Sequence, residues 1–201
     1  MSKKSYYNEK TGVVLQSFTE EDFALLKTHS ETTRVQIWAE EQKLTNLDFL
    51  LECSCLEEVD IYGGKIGDYS ALGKLLKLKK LFLNGRLRRW VDNLDFIAEL
   101  HCLNDLSICN YPLITYFPNL QDCHSLERVN IDGCKRLTDI SNVALIPNLK
   151  SFGICATPPE VEDLEFIAQK QGMKQMSGAF GSKRKDEAFK KMLEKYNLTY
   201  G

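Results

Sequence analysis

Seven cysteines and three histidines are the residues of this chain best suited to hold a metal or attack a substrate. The thiols occur as Cys53-Ser54-Cys55, His101-Cys102 and Cys123-His124, with Cys109, Cys134 and Cys155 standing alone. A structural zinc site asks for four ligands converging tetrahedrally, usually from tight paired spacings. Here the pairs sit near the junctions of separate repeating units, where a small apolar thiol is a good core filler. Core packing is therefore the expected role, and neither a metal nor a cofactor is expected. Nucleophilic catalysis would have only His29, His101 and His124 as imidazole bases. The chain contains no Gly-x-Ser-x-Gly elbow and no His-Glu-x-x-His pair, the local patterns that mark a serine nucleophile or a catalytic zinc. No enzymatic activity is expected.

Three further segments carry candidate binding chemistry. Tyr62-Gly63-Gly64-Lys65-Ile66-Gly67 lacks the Gly-Lys-Ser/Thr ending of a phosphate-cradling loop and reads as a turn leaving a strand. Gly178 to Lys185 has the outline of a backbone-clamping loop, but Asp186 and Glu187 offset its basic run. It reads as a solvated turn before a helix. Arg86-Leu87-Arg88-Arg89-Trp90 is the densest basic cluster. Two readings stand: a surface loop with Leu87 and Trp90 tucked inward, or an electrostatic handle for an acidic protein or a phosphate backbone.

Charge argues against a general polyanion binder. Lys and Arg number 26 against 28 Asp and Glu, a formal net charge of -2, whereas grip on nucleic acid or an anionic membrane usually needs a basic excess. Met1 to Lys10 is polar, without the apolar core of a secretory signal. No apolar run approaches the ~18 residues of a membrane span. An odd number of cysteines in such a chain fits reduced thiols. A cytoplasmic monomer with no membrane association is the resulting expectation.

The elements that must position these residues come from an internal repeat. Asn46 to Cys55 parallels Asn93 to Cys102, and Asp163 to Gly172 is a third copy. Such blocks lead into short segments with apolar residues at relative positions 1, 4 and usually 6. These begin at Leu56, Leu78, Leu103, Leu126 and Leu149, with degenerate first and last copies at Thr32 and Met173. The starts lie 22 to 25 residues apart, a period that signals a solenoid. Each Leu-x-Ile alternation lasts one short strand, whose apolar residues turn inward. One unit cannot bury that side alone, so neighbouring units must stack. The Leu-Asp-Phe blocks are long enough for helix, with Leu47, Leu50 and Leu51 on one stripe. The copies containing proline, 111–120 and 143–148, read as extended or 3₁₀.

The unit from Leu126, with Val129, Ile131, Cys134, Leu137, Ile140, Val143 and the closing Pro147-Asn148, resembles the leucine-rich-repeat family. Leu137-Thr138-Asp139-Ile140 is similar to the convex segment of internalin-like bacterial repeats. Arg86 and Glu40 depart from the Asn/Cys expected at their positions. The resemblance covers about residues 32–180. It implies an α/β solenoid with a parallel concave sheet of about seven strands, a helical or 3₁₀ convex side, and caps at both ends. The chain is expected to be one domain: an N-terminal cap over 1–31, repeats over 32–180, and a C-terminal capping helix within 181–201. Thr19 is an N-cap candidate before acidic Glu20, Glu21 and Asp22. Ala188, Phe189, Met192, Leu193 and Tyr196 recur at helical spacing.

In that family the residues between inward leucines form the concave face, here three rows with neighbours ~4.8 Å apart. The first row is Arg34, Glu58, Lys80, Asp105, Arg128, Ser151 and Gln175, alternating in sign over five strands. The second is Gln36, Asp60, Phe82, Ser107, Asn130, Gly153 and Ser177. The third is Trp38, Tyr62, Asn84, Cys109, Asp132, Cys155 and Ala179. Trp38, Tyr62 and Phe82 should form an exposed aromatic patch, the usual anchor of a protein interface, unless the N-terminal cap folds over Trp38. Asp60, Asn84, Asn130 and Asp132 would supply a polar rim, with Arg86, Arg88 and Arg89 beside it. The C-terminal end of the face reads as bland. The resemblance implies a non-catalytic protein-binding module, here an inhibitor or immunity protein that occludes a toxin or effector domain. The alternatives are a nucleic-acid-binding solenoid using Arg86, Arg88, Arg89 and Lys183 to Lys185, and a scaffold or adaptor.

Overall fold

A computed structural model describes residues 4–86 and 91–201. Its backbone winds through ten strands that form one sheet in sequence order. Strand β1 (Tyr6–Asn8) is antiparallel to β2 (Gly12–Leu15). From there the neighbours are parallel: β3 (Arg34–Leu44), β4 (Glu58–Ile66), β5 (Lys80–Asn84), β6 (Asp105–Cys109), β7 (Arg128–Asp132), β8 (Ser151–Cys155), β9 (Gln175–Ala179) and β10 (Thr199–Tyr200). The expected seven strands are β3 to β9, and the sheet exceeds them by three. The first 31 residues add β1 and β2, and β2 pairs in parallel with β3, Val13 opposite Val35 and Leu15 opposite Ile37. At the other end, β10 follows the last helix and pairs with β9.

Alternation explains the core. Val35/Ile37, Val59/Ile61, Leu81/Leu83, Leu106/Ile108, Val129/Ile131 and Phe152/Ile154 are all buried, one pair per coil. Their side chains meet the convex layer, where Leu50, Leu72, Ile97, Phe117 and Val143 are also buried. Each coil enters the sheet by the same hydrogen bonds. The carbonyl of Glu57 accepts from the N–H groups of Lys79 and Lys80, that of Lys79 from Asn104 and Asp105, and that of Glu127 from Lys150 and Ser151. This shared acceptor locks one coil to the next and carries the register along the stack.

The Leu-Asp-Phe blocks form 3₁₀ turns rather than α-helix at Asp48–Glu52 and Asp95–Glu99, and Ser141–Leu145 does likewise. The pitch leaves each convex segment only a turn or so, and a side chain starts it by accepting from the backbone two residues on. Asn46 serves Asp48, Asn93 serves Asp95 and Asp139 serves Ser141 in this way. Short α-turns stand at α2 (Ser70–Gly73) and α3 (Glu165–Ala168). Residues 111–120 run extended, bridged to the next coil where Tyr116 faces Asp139.

The longer helices lie near the two ends. Helix α1 (Glu20–Thr28) begins at Thr19, and the Asp22 carboxylate accepts from the N–H groups of Thr19 (3.3 Å) and Ser17 (3.1 Å). Those bonds account for an acid that is only 6 % exposed. Helix α4 (Lys183–Lys195) starts at Ser182, whose hydroxyl accepts from Lys185 N–H, and it buries Phe189, Met192 and Leu193. Among the described residues no helix is long and apolar enough to cross a membrane.

A candidate protein-binding surface on the concave face

Strand pairing places the three rows as the repeat predicts. Arg34, Glu58, Lys80, Asp105, Arg128, Ser151 and Gln175 are successive partners, and the other two rows run beside them. The alternating charges of the first row pair across the strands. Arg34 meets Glu58 at 3.5 Å, Glu58 meets Lys80 at 2.7 Å, and Arg128 meets Asp105 at 2.8 Å. Each such half-exposed pair contributes about 0 to 1 kcal/mol, but together they neutralise Arg34, Lys80 and Arg128.

The aromatic residues come together as one stack. Trp38 and Tyr62 lie nearly parallel, 4.0 Å between ring centroids and 10° apart, and Phe82 tilts against Tyr62 at 5.1 Å. All three are half-buried, so one side of the stack faces the solvent-filled concavity. Burial, followed by the neighbouring Asp60 carboxylate, pushes the Tyr62 phenol above its ordinary range.

Arg86 completes this patch from the side. Its guanidinium lies over the Trp38 ring, 5.6 Å from the centroid, a cation–π arrangement. Two features of the backbone aim it there. Arg86 takes a left-handed conformation, φ 47°, and its N–H donates to Asn84 Oδ1 at 3.0 Å. Asn84 in turn accepts from Asn110 Nδ2 at 3.2 Å. Gly63 supplies the passage: a β-carbon there would stand 3.1 Å from Arg86 Cδ and 3.1 Å from the Glu40 carbonyl.

Gly63 and Gly64 are not the turn expected from their sequence. They lie inside β4 with φ of 71° and 89°, opposite a stretch of β3 whose register slips between Trp38 and Glu40 and again before Lys43. Glycine bulges let both strands continue past the point where their neighbours stop. Gly64 also passes close to buried Ala39, where an added β-carbon would sit 2.5 Å from the alanine methyl.

Asp60 has a different role from the rim position expected of it. Its carboxylate accepts from Arg34 Nη2 at 2.8 Å and Gln36 Nε2 at 3.0 Å, with its side chain only 12 % exposed. The Arg34 guanidinium is raised above its ordinary value, chiefly by the hydrogen bond to Asp60. Asp60 thus ties β4 to Arg34 and Gln36 of β3 in the row beside Trp38 and Tyr62. Asn84 is likewise engaged in positioning Arg86, whereas Asp132 is exposed and Asn130 half-exposed. Arg88 and Arg89, with Leu87 and Trp90, lie outside the described residues.

The C-terminal end of the face is less bland than its sequence reads. Tyr200 from β10 helps enclose a hollow of about 360 Å³ with Asn130, Asp132, Cys155 and Ser177. Gly153 forms its floor because Asn130 Oδ1 and Ser177 Oγ close over it, at 2.4 and 2.9 Å from where a β-carbon would be. The repeat already places Asn130, Asp132, Gly153, Cys155 and Ser177 in adjacent rows; the arrival of Tyr200 depends on a two-residue strand.

The cysteines divide. Cys53, Cys123 and Cys134 are buried in the core, but Cys102 and Cys155 are exposed, so core filling covers only part of the set. Burial pushes the thiols of Cys53, Cys109, Cys123 and Cys134 up to about 11, the opposite of an activated nucleophile.

A parallel sheet lining the inner face of a one-coil-per-repeat stack, with 3₁₀ turns outside, is the leucine-rich-repeat solenoid, and this protein has that fold. Its solved structural relatives include an internalin (inlF) of Listeria monocytogenes, at TM-score 0.56 and 16% identity, covering 87% of this chain and 49% of that one. A leucine-rich-repeat protein of Leptospira interrogans matches at TM-score 0.57 and 17% identity, covering 95% and 46%. Internalin C2 of Listeria monocytogenes matches at 0.53 and 14%, covering 98% and 79%. The chain thus spans about half the length of the first two relatives. No family model and no curated protein matches its sequence.

Proposed function

We propose that this protein is a non-catalytic binding module that docks another protein on its concave face, centred on Trp38, Tyr62 and Phe82. The observation that carries this reading is the continuous, half-exposed aromatic stack, beside a row in which Arg34, Glu58, Lys80, Asp105 and Arg128 are already paired. Stacked aromatics with a wet edge and a buried base are the kind of anchor that dominates protein interfaces. Asn130 and Asp132 form the polar rim, and the first five repeats, from β3 to β7, are the footprint. Within this class the reading is a cytoplasmic monomer acting as an inhibitor or immunity protein, covering the active cleft of a toxin or effector domain.

A nucleic-acid partner is disfavoured on electrostatic grounds. Binding a phosphate backbone calls for several free cations, whereas Arg34, Lys80 and Arg128 are held by acids on this face.

The test is quantitative recovery of bound proteins on the wild-type chain and on Trp38→Ala/Tyr62→Ala/Phe82→Ala. Truncating one hot-spot aromatic costs about 2 kcal/mol or more. The triple variant should therefore lose its specific partner by at least ~100-fold in affinity while keeping its circular dichroism. A partner retained at full affinity by a folded triple variant rules the docking site out. Inhibition is tested separately, by whether the recovered partner loses its activity when bound.

A further inference from the structure

We propose that Arg86 is a preformed receptor for a single carboxylate of the partner, presented beside an apolar side chain that lands on Tyr62 and Phe82. The proposal rests on the docking reading above and adds the chemistry of the group that docks. Its first support is that Arg86 is exposed, and among the described residues its guanidinium has no carboxylate partner. The neighbouring cations of the concave face differ: Arg34 holds Asp60 and Glu58, Lys80 holds Glu58, and Arg128 holds Asp105. Among the described residues, a face that pairs its charges strand by strand leaves this one without a carboxylate, at the edge of its aromatic patch.

Its second support is that Arg86 is held in place before anything binds. Asn84, itself fixed by Asn110, receives the Arg86 N–H, the left-handed backbone turns the side chain back over β4, and Gly63 leaves the space it crosses. The guanidinium carbon stands 5.6 Å from the centroid of the Trp38 ring, within reach of a cation–π attraction that holds the head group over the patch. A long flexible side chain ordinarily loses rotamer freedom on binding; here much of that cost is met in the free protein. The planar fork offers two parallel N–H donors, the geometry that a carboxylate accepts in bidentate fashion.

The chemistry favours one acidic side chain over a polyanion. A phosphate backbone delivers charge at regular spacing and gains affinity from many contacts. Among the described residues the Arg86 guanidinium has no carboxylate partner, Asp132 stands exposed on the same face, and the formal net charge is -2. A glutamate or aspartate next to a leucine-like or aromatic residue satisfies both halves of the patch at once.

The probe is a phage-displayed library of random twelve-residue peptides, selected on the full chain and counter-selected on Trp38→Ala/Tyr62→Ala/Phe82→Ala. Selected peptides are expected to share an acidic residue adjacent to an apolar one. Changing that residue to its amide, or Arg86→Gln in the protein, should each weaken binding tenfold or more, and the two changes together should cost little beyond either alone. Arg86→Lys, which keeps the charge but loses the fork, should recover only part of the affinity. Peptides that need the aromatic stack yet ignore Arg86→Gln overturn the carboxylate receptor and leave the docking reading standing. Failure to obtain any peptide that distinguishes wild type from the triple variant overturns both. A labelled single-stranded or duplex oligonucleotide bound tightly in an Arg86-dependent way would also overturn it, in favour of phosphate.

Discussion

Replacing Asp60 by asparagine removes one charge and almost no volume, so it isolates the brace between β3 and β4 beside the aromatic stack. The carboxylate accepts from Arg34 at 2.8 Å and from Gln36 at 3.0 Å. An asparagine can satisfy one of those donors through its carbonyl, but its amide hydrogens then face the other. Breaking a fully buried ion pair costs about 3–5 kcal/mol, and an exposed one contributes about 0–1 kcal/mol. This pair lies between, with side chains 34 % and 12 % exposed for Arg34 and Asp60, and Arg34 keeps Glu58 at 3.5 Å as a second partner. The expected loss is therefore about 2 kcal/mol, at the level of a hydrogen bond to a charged group. For a domain of this size each kcal/mol corresponds to roughly 2–4 °C in melting temperature, so Asp60→Asn should melt about 4–8 °C lower. Thermal and urea unfolding followed by circular dichroism read the change, and a cycle with Arg34→Met should show that most of it is shared between the two residues. A variant that melts within about 1 °C of wild type would refute the bracing role and return Asp60 to the rim as a group free to meet a partner.

Three other outcomes follow from the same geometry. Gly63→Ala places a methyl on a left-handed residue and against Arg86 Cδ; it should cost about 1–2 kcal/mol in urea unfolding, and unchanged stability would mean the bulge relaxes freely. At pH 8 a thiol reagent should label exposed Cys102 first, while Cys53, Cys123 and Cys134, buried and pushed up to about 11, present only about one thiolate in a thousand; peptide mapping that finds Cys134 labelled as fast as Cys102 contradicts the packing. Lys195 and then Tyr196 hold the Glu165 carboxylate below its usual range through bonds of 2.5 Å. Because the folded value is the lower one, the tie between α3 and α4 is complete above the ordinary glutamate range and is lost as pH falls through the depressed value. Exchange protection in α4 should therefore drop on acidification in wild type and stay flat in Glu165→Gln.

The rows of the concave face were legible because two simple periods coincide. A Leu-x-Ile alternation sets what points inward, and a 22 to 25-residue pitch sets which residues become neighbours, so Trp38, Tyr62 and Phe82 could be placed together from their positions alone. What a side chain does after reaching the face was harder to read. Asp60 and Asp132 look alike in sequence, yet Asp60 is flanked by Arg34 and Gln36 on the preceding strand and turns to them. Arg86 sits where the repeat expects Asn, and its left-handed backbone is uncommon for a long side chain, so its reach to Trp38 had no sequence counterpart. Gly63-Gly64 carried a turn signal that the long β3–β4 pairing overrode. Strands β1, β2 and β10 were missed because they span three, four and two residues, too short for an alternation to show, and β10 forms only because α4 returns the chain to the open edge.

The most direct measurement is photocrosslinking in cells that express the chain from its own locus, with a benzophenone amino acid at Tyr62 or at Leu76. Leu76 is 73 % exposed in the connection between α2 and β5, away from the aromatic stack. A discrete protein adduct from position 62, absent from position 76 and abolished by Trp38→Ala/Phe82→Ala, is the outcome expected of a concave docking face. An adduct that forms from position 76 while position 62 stays unlabelled would place the partner elsewhere on the solenoid.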